Sequence, residues 1–380
     1  MMSPEDLLSR RALLAAGISA GGMIVGRRLL GQATAGSDSA TPRDLVIRNA
    51  RALDAEAPLA ALASPRTDPA HFFVRSHFGP PPQLPLRWTL AIKGEVDRPL
   101  SISLDDLRRL GSETRAVTLE CAGNGRGAFA LLKTSGVQWQ YGAVSTAEWT
   151  GVPLGTLLER AGLRASAAHL WMEALDHAPL PAVPTFLRSI PRRVALGDAF
   201  VAYAMNGQRI PLLHGGPLRL IVPGWFGMAS TKWLTAIHAS TVESDNFFMS
   251  HGYRYADQSP VTELRVKSVI ASPVQSQRVA GGRVAVTGQA WTGSAGGVVH
   301  SVDVSTDGGG TWRPARLTGN AQPGAWRGWA CDVALPAGGA TIMARATDSS
   351  GAVQPMAAVP NPGGYGNNSI HAVQVHATNS

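Results

Sequence analysis

Thr118-Leu119-Glu120-Cys121-Ala122-Gly123-Asn124-Gly125-Arg126-Gly127 is a strand running out into a loop, with a thiol at the junction. Ala116–Glu120 has the short apolar character of a strand, and three glycines within seven residues then let backbone approach a large ligand closely. Arg126 adds positive charge, which favours thiolate over thiol. A soft thiolate suits a soft or highly charged transition metal. On spacing alone Cys121 reads first as a buried structural thiol, with a nucleophile for acyl transfer as a further alternative.

Outward from this loop, apolar runs alternate with helical patterns between His71 and about Asn246. Leu86–Val96 reads as strand, and Pro99–Leu110 as strand entry followed by a short helix from Ser103. Pro153–Ala161 is a short amphipathic helix opened by proline and closed by Gly162. Pro217–Pro223 is another apolar strand. From about Val266 the pattern becomes short alternating strands: Arg283–Gly288, Val298–Ser305, Trp312–Leu317, Ala330–Leu335 and Ala340–Thr347. Asp307–Gly310 and Pro336–Gly339 are turns of the hairpin kind. The expected fold is an α+β domain over residues 71–262, followed by an immunoglobulin-like β-sandwich over 263–380. Residues 36–70, rich in Ala, Pro and Asp, read as a weakly structured lead-in.

With 380 residues, 44% hydrophobic and 16% charged, the chain has enough material for two cores. Its net charge is +8, but the Lys and Arg residues are scattered, so no nucleic-acid module is expected. The two cysteines, Cys121 and Cys331, form neither a disulfide framework nor a zinc pattern, and without a C-x-x-C-H motif no haem is expected in this chain. Cys331 reads as a small buried hydrophobe in a sandwich strand. Ser9-Arg10-Arg11-Ala12-Leu13-Leu14 opens an apolar stretch to about Val25, and Ala33-Thr34-Ala35 offers small residues for signal peptidase. This is the pattern of a twin-arginine signal peptide over residues 1–35, too short to anchor in a bilayer, so a periplasmic protein is expected.

Several ordered blocks resemble the sulfite oxidase family, across roughly residues 70–375. They include Cys121-Ala-Gly-Asn-Gly-Arg126, Phe72-Phe-Val-Arg-Ser-His77, Gly142-Ala-Val-Ser-Thr-Ala-Glu-Trp149 and Ala202-Tyr-Ala-Met-Asn-Gly207. His214-Gly-Gly-Pro-Leu-Arg219, Val222-Pro-Gly-Trp-Phe-Gly227 and Lys232-Trp-Leu234 continue the likeness, as do Asp303–Gly309 and Ala325–Trp329. The resemblance implies that Cys121 ligates a molybdenum held by the dithiolene of a pterin cofactor. It implies that Phe73, Val74, Arg75, Ser76 and His77 line that cofactor, partly through backbone groups. Asp176, His214, Arg219, Ser230, Thr231 and Lys232 match positions that hold the pterin and its phosphate. Arg75, Arg126, Trp139 and Tyr253 match positions around the substrate, with His77 beside them. Taken singly, Trp139, His77 and His214 also read as core side chains, and Arg219 as the partner of a buried acid.

What the resemblance implies is oxidation of sulfite to sulfate, with electrons passed to an external carrier such as a c-type cytochrome. It also implies a homodimer formed through the sandwich. One departure bears on the substrate. Animal and plant members bring a further Arg to the pocket from a late segment, where this chain has Asn361-Pro-Gly363-Gly-Tyr365. The pocket is thus either less cationic, or another residue such as His77 compensates. Reduction of sulfoxide-type substrates is the chemical alternative, and a secreted binding protein with a vestigial site is the non-enzymatic one.

Overall fold

The computed structural model describes residues 44–50, 52–129, 133–293 and 297–379. The twin-arginine stretch and its cleavage site lie outside the described residues. Among those described, no helix is long and apolar enough to cross a membrane.

Two five-stranded sheets form the first domain. One contains Gln208–Arg209, Phe200–Met205, Val144–Pro153 and Glu113–Glu120 in that order, with Arg219–Ile221 also pairing to Phe200–Met205. The other runs Leu100–Ser103, Thr89–Gly94, Leu234–Ser240, His169–Ala174 and Arg188–Pro191. Period-two alternation assigns side chains to layers. Val201 and Leu220 join a core shared with Leu90, Ile92, Leu170 and Ile237, whereas their neighbours Phe200, Ala202 and Ile221 pack with Phe72, Trp139 and Trp149.

The helix expected after Pro153 is Leu154–Ala161; it buries Leu154, Leu157, Leu158 and Ala161 and stops at Gly162, whose φ is 68°. Ser103 caps the helix Leu104–Arg108 by accepting from the Asp106 N–H. The other α-helices among the described residues, Arg192–Ala195 and Phe247–Ser250, have four residues each. Strands therefore dominate more than an α+β reading implies. Most of the apolar runs are short and bounded by Gly or Pro, which suits ladder pairing better than helix propagation.

The second domain is a β-sandwich. One sheet orders Lys267–Ser272, Gly282–Trp291, Arg327–Leu335 and Arg316–Thr318. The other orders Arg278–Ala280, His371–Thr378, Gly338–Asp348, Val299–Ser305 and Arg313–Pro314. Val286, Val302, Trp329, Ile342 and Val373 fill the space between them, and Cys331 is buried there as a free thiol. The single strand expected over Trp312–Leu317 is instead two, and they belong to different sheets. Pro314 has no N–H to extend a ladder, so the chain crosses from one sheet to the other at that point.

The lead-in is also more ordered than its composition suggests. Asp54, Ala55, Glu56 and Ala57 are buried, and Ala55 exchanges backbone hydrogen bonds with Val74. Its two buried acids are paired: Asp54 with Arg75, and Glu56 with Arg48 while accepting from the Gln140 N–H. A third core, containing Ala122, Phe226, Phe248 and Tyr253 with Val269, Trp291 and Trp326, joins the two domains beneath the Cys121 loop.

Candidate functional site

The strand Glu113–Glu120 delivers Cys121 to the top of the first sheet, where the Cys121 N–H donates to the Ala143 carbonyl at 2.9 Å. The chain then turns: the Asn124 N–H returns to the Cys121 carbonyl at 2.8 Å, and Gly125 takes φ 86°, a value that favours glycine. Much of what fixes this turn comes from the second domain. The buried Glu120 carboxylate accepts from Asn124 Nδ2 at 2.9 Å, Lys267 Nζ at 2.9 Å and Trp291 Nε1 at 2.8 Å. Asn367 Nδ2 donates to the Gly125 carbonyl and the Gly366 N–H to that of Ala122, both at 2.8 Å.

Cys121 borders two cavities that share Arg75, His77, Cys121 and Tyr253. The first is completed by Phe73, Ser76, Asp176, His214, Arg219, Ser230, Thr231 and Lys232. The extended run 72–77 supplies one wall and the segment 214–232 another. Val74 departs from expectation, because both its N–H and its carbonyl are committed to Ala55 and offer nothing to a ligand.

Two cations of this cavity, Arg219 and Lys232, form no ion pair among the described residues. Arg219 is fully buried, donates to the His214 and Ser230 carbonyls at 2.7 and 2.9 Å, and leaves Nε unpartnered. Among the described residues no acid pairs with it, which is not what the buried-acid reading of Arg219 expects. Burial pulls its pKa down to about 9. Lys232 Nζ reaches the Leu213 carbonyl at 3.0 Å; burial, then Arg219, lower its pKa to about 7, with Asp176 opposing. Thr231 Oγ1 is buried without a partner. Burial, reinforced by Lys232 and Arg219, holds His214 neutral with a pKa of about 3, and its Nε2 lies 2.9 Å from the Pro69 carbonyl. Unpaired buried donors of this kind suit a phosphate.

The second cavity, of about 470 Å3, adds Arg126, Trp139, Phe248 and Tyr365. Arg126 donates from Nε to the Gly363 carbonyl and from Nη1 to the Val137 carbonyl, both at 3.0 Å. Arg75 is paired with Asp54 at 3.1 Å. Burial lowers the Arg75 pKa, but Tyr253, Asp54 and Cys121 more than offset this. Burial pushes the Cys121 thiol up, with Arg75 the larger cationic offset and Arg126 the smaller. The loop arginine is thus not what favours thiolate most. Burial together with Arg75, Arg188 and Lys232 holds His77 well below its usual range. A neutral His77 cannot stand in as a missing cation.

Tyr253 adopts φ 56°, unusual for a bulky residue, and its hydroxyl sits 3.4 Å from His77 Nε2. Burial raises its phenol pKa, so it stays protonated and able to donate. Sequence reasoning missed Asp54, Phe186, Arg188 and Tyr365. Arg188 is buried with its guanidinium 5.2 Å from the Tyr253 ring centroid, and Phe186 stacks on His77 at 4.5 Å. A lone Lys267 in the apolar run Val266–Ile270 was the available sign of the Glu120 pair.

Among the described residues no group of three or more His, Cys, Asp or Glu is placed to hold a metal. The thiolate donor and the anion-accepting first cavity both fit a metal–pterin cofactor bearing a phosphate.

Comparison with known proteins agrees. The family model described as oxidoreductase molybdopterin binding domain matches residues 77–248, and that of the Mo-co oxidoreductase dimerisation domain matches 258–378. Mitochondrial sulfite oxidase of Homo sapiens is 34% identical over 362 residues, covering 88% of this chain and 66% of that protein. Sulfite oxidase of Gallus gallus is 36% identical over 342 residues, covering 83% and 74% respectively. The solved sulfane dehydrogenase SoxCD from Paracoccus pantotrophus is 28% identical with a TM-score of 0.78, covering 95% of each chain. The chain belongs to the sulfite oxidase family of molybdopterin-binding oxidoreductases.

Proposed function

We propose that this protein oxidises sulfite to sulfate and passes the two electrons, one at a time, to an external carrier such as a c-type cytochrome. The observation that carries this reading is the convergence of Cys121, Arg75, Arg126 and Tyr253 on one cavity. Cys121 is the protein's ligand to the metal. Phe73, Arg75, Ser76, His77, Asp176, His214, Arg219, Ser230, Thr231 and Lys232 hold the pterin and its phosphate. When bound, the molybdenum–pterin group supplies an oxygen atom to a sulfur lone pair and takes up two electrons.

The chain's own residues do the rest. Arg75 and Arg126 present charged donors to the oxyanion. The protonated Tyr253 hydroxyl donates to a further substrate oxygen, and Trp139 excludes water from that side. The names of the relatives, a sulfite oxidase and a sulfane dehydrogenase, support sulfur as the reacting atom. We further read the sandwich as an immunoglobulin-like dimerisation module, which makes the protein a homodimer. Export by the twin-arginine route places it in the periplasm.

The deciding experiment is sulfite-dependent reduction of ferricyanide or cytochrome c by molybdenum-loaded protein, beside a Cys121→Ser control. Turnover lost in the control supports the proposal. Inert protein with full molybdenum occupancy overturns the substrate.

A further inference from the structure

The second cavity is larger than a small oxyanion requires, and its mainly polar lining, which includes Asp54 beside Arg75, carries a cluster of aromatic side chains. Its volume of about 470 Å3 lies within the roughly 300–1,000 Å3 typical of pockets for small organic ligands. Trp139, Phe248, Tyr253 and Tyr365 line it, against two guanidinium groups, those of Arg75 and Arg126. Arg126 is partly committed already, to the Gly363 and Val137 carbonyls.

Tyr365 makes the aromatic character a built feature. A Cβ added at Gly363 would lie 2.2 Å from Tyr365 Cε2, so the ring fills the space that any side chain at 363 would need. The ring is held by Tyr253, stacked at 5.2 Å with an interplanar angle of 23°, and by Arg126, whose guanidinium carbon is 5.3 Å from its centroid. The Tyr365 N–H also donates to Asn361 Oδ1 at 3.0 Å. An anion bound here meets positive charge on one side and an ordered aromatic surface on the other.

We infer that the cavity takes an organic sulfinate, R–SO2⁻, whose oxygens meet Arg75 and Arg126 while its apolar R group lies against Tyr365, Tyr253 and Trp139. This rests on the reading of the Cys121 site as a sulfur-oxidising molybdenum centre. A sulfinate has what that site needs: a sulfur lone pair, an anionic head for the arginines, and a carbon substituent for the aromatic wall. The reaction is R–SO2⁻ + H2O → R–SO3⁻ + 2H⁺ + 2e⁻. The sulfur lone pair forms the new S–O bond and the oxygen comes, in net, from water. Both electrons leave to the same external one-electron carrier, and the R–S bond stays intact.

The test uses molybdenum-loaded full-length protein with ferricyanide as acceptor, comparing sulfite, methanesulfinate and benzenesulfinate. Calorimetric titration with sulfate and benzenesulfonate gives a readout independent of turnover. The expected result is stoichiometric benzenesulfonate, one per two ferricyanide reduced. The kcat/KM for benzenesulfinate should exceed that for methanesulfinate by roughly tenfold, about what partial burial of an aromatic ring contributes. Benzenesulfonate should bind roughly tenfold more tightly than sulfate, on the same grounds. Tyr365→Ala and the bulkier Tyr365→Leu should both lower the benzenesulfinate-to-sulfite ratio of kcat/KM. Oxidation of sulfite with inert benzenesulfinate overturns this inference and leaves the proposed function standing. Sulfate binding as tight as benzenesulfonate overturns it as well. Failure of all three substrates at full molybdenum occupancy sinks the proposed function and takes the inference with it.

Discussion

On one side of Cys121 the cavity wall comes mainly from two contiguous runs, 72–77 and 214–232, both within the first domain. Its Arg219 and Lys232 are held on backbone carbonyls and form no ion pair among the described residues. On the other side the wall is assembled from Arg126, Trp139, the segment 247–253 and Tyr365, the last carried by the second domain. Here the cations are already engaged, Arg75 with Asp54 and Arg126 with two carbonyls, and Trp139, Phe248 and Tyr365 stand beside them. The first wall leaves Arg219 and Lys232 open to an anion, whereas the second offers cations that already have partners. A binding group common to many substrates suits the former, and discrimination among substrates suits the latter.

The contrast predicts different failures. The largest concerns the Glu120–Lys267 pair, buried to within a few per cent exposure on both sides. Glu120→Gln leaves the Lys267 ammonium uncompensated and should cost about 3–5 kcal/mol of unfolding free energy. Urea denaturation measures this, and a loss below 1 kcal/mol would show that the two domains do not depend on the pair. Next, Arg219→Met on the first wall should lower cofactor retention by roughly 10–100-fold, the usual cost of losing a supporting partner. Molybdenum and pterin content of purified protein reports it, and a full complement in the variant would disprove the phosphate role.

On the second wall, Arg75→Ala and Arg126→Ala should each reduce kcat/KM for the anionic substrate by about 1.5–3 kcal/mol in transition-state terms. Both variants should also lower the melting temperature, Arg75→Ala because it strands the buried Asp54 carboxylate and Arg126→Ala through the loop it clamps, while unchanged kinetics in both would remove them from the site. The smallest effect is one of pH. In cofactor-free protein burial depresses Lys232 to about 7, and a bound phosphate raises it again. The charged form that phosphate prefers is thus present below pH 7 and lost above it. Affinity for sulfate, an anion that does not itself titrate in this range, should fall by about tenfold between pH 6 and pH 8, read by titration calorimetry. A flat profile would mean that Lys232 does not face the anion.

These two walls also differ in how far they can be read from sequence. The first is local: an extended run and a short strand with Gly and Pro at their ends place Ser76, Arg219 and Lys232, so a motif suffices. Val74 is the exception, since its pairing with Ala55 depends on a segment whose acids read as loop. The second wall depends on contacts across 237 residues, such as Arg126 to Gly363. Periodicity does not reveal that Tyr365 occupies the space above Gly363, or that Arg188 stands behind Tyr253. In the sandwich, the alternating strands were legible, but the sheet crossing at Pro314 was not, because a proline marks where pairing stops and not where it resumes.

The lock between Glu120 and Lys267 also bears on modularity. A chain cut between the domains, near residue 260, would expose the Glu120 carboxylate beside Cys121, stripped of its Lys267 and Trp291 donors, and would free the Gly125 and Ala122 carbonyls. The catalytic half is therefore not a portable cassette. Recombination that exchanges second domains among relatives must carry Lys267, Trp291 and Asn367 along, or rebuild the turn around Cys121.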